Sequence, residues 1–188
     1  MSLSRSSINK LPDTKDKKSP RKGGIHKNLK RCIIKMYDVI TIVNWLRVRN
    51  NSSLRTDENV EELTKFKAMK LLYYIQGASL IYLKQRLFPQ DIIAYKNGPI
   101  IEKVNKEYPN KRVIIGTITN NDINDYKKLN ANKKCAAILN TVYDTFGNIS
   151  THDLTSMIQT ESPWENTQLG NKITNREMIK YFKNIVKS

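Results

Sequence analysis

Chemistry in this chain would have to come from a sparse and scattered set of side chains. The 188 residues hold two cysteines, Cys32 and Cys135, and two histidines, His26 and His152. Their spacing fits neither a metal centre nor a disulfide framework, and no metal or cofactor is expected. The seven glycines form neither a dinucleotide fingerprint nor a phosphate-binding loop, and no serine sits in a nucleophile elbow. His152 falls in the expected first turn of a helix, with no nucleophile to pair with it. Glu61 and Glu62 precede a helix start, where the helix dipole favours negative charge, so they are not read as an acid–base pair. No catalytic residue is assigned, and the expectation is a protein that is not an enzyme.

What remains is the chemistry of recognition. Lys65, Lys67 and Lys70 form a basic patch able to meet phosphate, read here as a solvated helix end. Tyr73 and Tyr74, with Tyr82 nearby, have the aromatic faces of a base-stacking platform. Set among leucines, they are read instead as core residues with a hydroxyl at the edge. Trp164 follows Pro163 and is either a core plug or an exposed anchor for a partner; both readings stay open.

The element that must position these residues is the stretch 64–83, TKFKAMKLLYYIQGASLIYL. From Leu71 to Leu83 only Gln76, Gly77 and Ser79 interrupt the apolar run, and a helix apolar on nearly every side belongs in the middle of a fold. Its lysines and Gln76 rule out a membrane span, and Gly77 would let another backbone come close. Before it, Met36, Val39, Ile40, Val43 and Leu46 follow helical spacing, and residues 50–60 read as a polar linker. After it, DIIAYK (91–96) and RVIIGTI (112–118) read as strands able to pair antiparallel. Asn97–Gly98–Pro99 makes a sharp turn, with Pro99 opening a helix to about Tyr108.

Helices are further expected over 122–129, 132–146, 150–159 and 175–186, with a break at Ser162–Pro163–Trp164. Gly147 closes the second of these, and Ser150 with Asp153 opens the third as a capping box. The fold class is therefore mainly α: a compact helical domain around a central buried helix, with a small two-stranded β element.

Charge divides the chain. It carries 33 Lys and Arg against 17 Asp and Glu, a net +16. Residues 1–35 alone hold eleven basic residues and two aspartates, a net +9. This segment reads as a basic, disordered extension ahead of a domain over 36–188. It favours anionic partners, nucleic acid among them. The N-terminus lacks the apolar run of a secretory signal, so a cytoplasmic location without a membrane partner is expected.

Three motifs in order, KLLYYIQG (70–77), LFPQDIIAYKNGPI (87–100) and SPWEN (162–166), resemble the Panacea domain of SocA-like, phage-associated antitoxins. IVNWL (42–46) is similar to that family's first-helix pattern, and the likeness covers about residues 36–170. Two positions depart from it: Asn105 where tyrosine is common, and Ile158–Gln159 where a Thr–His pair often precedes the Pro–Trp. The resemblance implies a non-enzymatic antitoxin that neutralises a cognate toxin by direct binding, in one branch as an adaptor to a protease. Lys70, Leu71, Tyr73, Tyr74, Gln76, Gly77, Gly98, Pro99 and Pro163 are the motif residues, mainly structural in role. Lys96, Asn97 and Trp164, at two Pro-marked breaks, are the residues expected near the partner. A nucleic-acid-binding regulator using the basic tail is the alternative function.

Overall fold

The computed structural model describes residues 35–185. Apart from Lys35, the expected tail over 1–35, with His26 and Cys32, lies outside the described residues, as does the end of the expected last helix at Val186. Eight helices are described: α1 (Val39–Leu54), α2 (Lys65–Tyr82), α3 (Glu102–Glu107), α4 (Asn120–Ala131), α5 (Lys133–Phe146), α6 (Thr151–Gln159), α7 (Ser162–Glu165) and α8 (Asn175–Ile185). None is long and apolar enough to cross a membrane.

Helix α2 is the centre. From Lys67 to Ile81 every residue is buried, because α5, α6 and α8 pack along it while α1 and α3 touch its flanks. Each fully covered aliphatic side chain contributes about 1.5–3 kcal/mol relative to exposure. Gly77 admits the ring of Phe182 from α8: a Cβ there would lie 2.3 Å from that ring. The close approach is thus by an aromatic side chain, where the sequence suggested a backbone. On the far side, α1 packs against α4, and Trp45 stacks on Tyr126 with ring centroids 5.8 Å apart.

Local chemistry opens the helices. Thr64 accepts the Lys67 N–H at the start of α2, and Asp38 accepts the Ile40 N–H at the start of α1. Thr119 and Asp122 form a reciprocal capping box on α4, Asn132 caps α5 and Ser150 caps α6. Each such cap is worth about 0.5–2 kcal/mol. Gln76 ties the long loop after α2 to the core, since its amide donates to Phe88 O at 3.1 Å and accepts from Leu87 N at 3.0 Å.

The structure corrects several expectations. The two strand candidates neither pair with each other nor form strands among the described residues. Ile93 bridges Ile100 and Lys172, while Val113 bridges Thr64. Each β-branched run thus finds its backbone partners in a separate irregular segment, and isolated bridges replace a ladder. Pro99 does not open a helix, because α3 begins at Glu102 with Ile101 as its N-cap. The expected linker at 50–60 is helical through Leu54, and buried Asn50 explains the extension: its amide accepts from Leu63 N and donates to Glu61 O. Ser162–Pro163–Trp164 does not simply break the chain; it forms the single turn α7, with Pro in its first turn.

Candidate functional site

Two motif residues from distant elements, Lys70 and Trp164, meet at one turn. Tyr95–Gly98 reverses the chain, with the Gly98 N–H donating to Tyr95 O at 3.0 Å and Gly98 at φ +90°, a conformation natural only to glycine. Three consecutive carbonyls of this turn are each held by a side chain from another element. Trp164 Nε1 donates to Tyr95 O at 3.2 Å, Gln159 Nε2 to Lys96 O at 2.9 Å and Lys70 Nζ to Asn97 O at 3.1 Å. The side chains of Tyr95, Lys96 and Asn97 point to solvent, whereas Gly98 and Pro99 are buried. Gln159 holds Lys96 from one of the positions that depart from the family pattern.

Lys70 sits under the turn with 1 % of its surface exposed. Burial lowers its ammonium to about 8, and the Phe66 ring lies 5.9 Å from Nζ. Lys67 is equally covered, its Nζ 3.8 Å from the Glu61 carboxylate and without a hydrogen bond. Burial lowers its pKa, with Glu61 opposing the shift. The basic patch at the start of α2 is therefore not a solvated helix end. Helical side chains at these positions lean toward the preceding turn, where neighbouring segments cover them; Lys65 is only partly buried and donates to Tyr108 O.

Glu161 completes the support and is the residue of this candidate site that sequence reasoning missed. It is 2 % exposed, and its two carboxyl oxygens accept from Tyr73 Oη at 2.8 Å and Tyr74 Oη at 2.9 Å. Its backbone carbonyl receives the N–H groups of Trp164 and Glu165. One residue thus fastens α7 and its tryptophan to the central helix. Tyr73 and Tyr74 are core residues, as expected. Tyr74 stacks on Phe146 at 4.0 Å, and burial, followed by the Glu161 carboxyl, pushes the Tyr73 hydroxyl well above its ordinary value. In the sequence Glu161 only precedes Ser162–Pro163–Trp164, which read as a break.

Leu71 and Pro163 are buried. Trp164 is half-buried, between the two roles the sequence left open. Beside it stand two exposed apolar residues, Tyr95 from the second motif and Leu169 from outside the motifs, each 53 % exposed. Hydrogen bonds from Gly170 N to Ala94 O and from Ala94 N to Asn171 O bring the Leu169 segment alongside Tyr95.

A cavity of about 380 Å³ lies elsewhere, between α1, α3 and the start of α4. Its Arg47 is already engaged with the carbonyls of Ile114, Ile115 and Thr117 and with Asp122, so the guanidinium acts as a clamp on that loop.

The family model for the SocA-like antitoxin, Panacea domain, matches residues 69–165. The chain belongs to this family. The matched segment runs from α2 to α7 and so contains the turn, Lys70, Glu161 and Trp164 together, which supports a role in toxin–antitoxin systems for this Panacea protein. No curated protein and no solved structure was found to match it.

Proposed function

We propose that this Panacea protein, without catalytic activity of its own, neutralises a cognate toxin by direct binding on the face formed by Tyr95, Lys96, Asn97 and Trp164. The observation that carries this reading is the construction of the turn. Its three carbonyls are anchored by Trp164, Gln159 and Lys70, while its side chains remain free to meet a partner. A contact surface ordered in advance loses little entropy on binding. Aromatic residues held in rigid surroundings are the usual centres of interface energy. The adjacent exposed Leu169 extends the apolar part of this face. Delivery of the toxin to a protease would use the same docking step and would show as a shortened toxin lifetime.

The test is co-expression with a neighbouring gene product that halts growth when expressed alone. Lys96→Glu changes an exposed charge, so it should leave stability within about 0.5 kcal/mol yet abolish rescue. Trp164→Ala should also lose rescue while the chain remains folded by circular dichroism. Rescue that falls only in proportion to lost stability would leave both residues a purely structural role.

A further inference from the structure

Asn97 is the one asparagine of the chain that is followed by glycine. Its side chain is exposed, and Gly98 has no Cβ to crowd an approach to its backbone nitrogen. The peptide unit joining the two residues also carries a cation on its oxygen, since Asn97 O accepts from Lys70 Nζ at 3.1 Å. The amide is a resonant unit. A charge-assisted bond to its oxygen draws electron density from the nitrogen of Gly98, which makes that N–H more acidic and stabilises the anion left when the proton goes.

We propose that Asn97–Gly98 is a self-modification site, at which the Lys70 ammonium activates the Gly98 nitrogen for attack on the Asn97 side-chain amide. The Gly98 nitrogen gives its proton to solvent and bonds to Asn97 Cγ. The Cγ–Nδ2 bond breaks, and ammonia leaves with a proton taken from solvent, which closes a succinimide ring. Water then adds to one imide carbonyl and opens the ring, leaving aspartate or isoaspartate at position 97. Water is the only co-reactant. The Gly98 N–H bond to Tyr95 O must open before the proton can leave. With its pKa near 8, Lys70 carries the required charge at neutral pH.

The product places a carboxylate beside Lys96 and over Lys70, so a neutral position of the turn becomes anionic. The chemistry is independent of toxin docking; only its consequence for binding depends on that reading.

The test follows the purified full chain by intact mass and peptide mapping during incubation at neutral pH. An Asp–isoAsp mixture at position 97 should accumulate severalfold faster than acid at Asn51 or any other asparagine. It should also form severalfold faster in the folded chain than in the chain held in urea, and slow severalfold in Lys70→Met. An equal or slower rate in the folded chain, or a rate unchanged by Lys70→Met, would overturn the role of Lys70. A lasting loss of ammonia without water uptake, with residues 70 and 97 joined in one fragment, would overturn it in favour of capture by the lysine amine.

Discussion

Lys70 sets a cost against a purpose. Its ammonium is buried under the turn, and burial lowers its pKa from 10.5 to about 8. Below pH 8 both folded and unfolded chains are protonated at this site, and the folded state bears the full cost of desolvation. Between pH 8 and 10.5 the unfolded chain holds a proton that the folded chain has released. The unfolded state therefore binds more protons, and the contribution of Lys70 to stability rises with pH across that window. Lys70→Met should remove this rise. At neutral pH it should be neutral or stabilising by about 1–4 kcal/mol, as when buried ions give way to apolar groups of similar volume. Urea unfolding of both proteins on either side of pH 8 checks this. A variant that is more stable but fails to rescue from toxin would show that the lysine is kept for the turn it holds. Neither the burial nor its purpose was legible in the sequence, because a lysine at a helix start is ordinarily solvated and only tertiary contact covers this one.

Helix α2 was legible for the opposite reason: its apolar residues leave no solvent face, and Thr64 marks its start in the sequence as in the structure. Leu72 is fully buried, so Leu72→Ala should cost about 2–5 kcal/mol. The denaturant midpoint should fall while the slope stays the same, and a shift below about 0.5 kcal/mol would contradict the central packing. The short apolar runs at 91–96 and 112–118 misled for a physical reason. A short apolar run of four to eight residues does not fix its own conformation, and the choice rests on what lies opposite. Opposite Ile93 lie Ile100 and Lys172, and opposite Val113 lies Thr64, so backbone groups are satisfied one bridge at a time. The turn at 97–99 was readable from Asn–Gly–Pro, but its three side-chain anchors come from residues as far as 69 positions away. No local pattern announces them. The same distance hid Glu161, 88 residues from Tyr73.

At the scale of the whole molecule the uneven charge sets a separate question. Of the net +16, residues 1–35 carry +9, and the remaining 153 residues carry +7. A segment so basic attracts polyanions whatever the domain beside it does, and this supports the alternative reading of a nucleic-acid-binding regulator. Residues 1–32 hold few apolar side chains to bury. A chain starting at Met36 should therefore melt at the same temperature as the full chain and retain toxin rescue. If the tail binds duplex DNA, the full chain should lose affinity steeply with salt, the slope growing by about 0.9 for each phosphate contacted. Removing the tail should then flatten that dependence while leaving rescue intact. Equal, salt-sensitive binding by both chains would instead place the polyanion site on the helical domain. Titrating DNA into the toxin-bound full chain distinguishes these outcomes: release of toxin requires a shared face, and simultaneous binding separates the polyanion site from the turn.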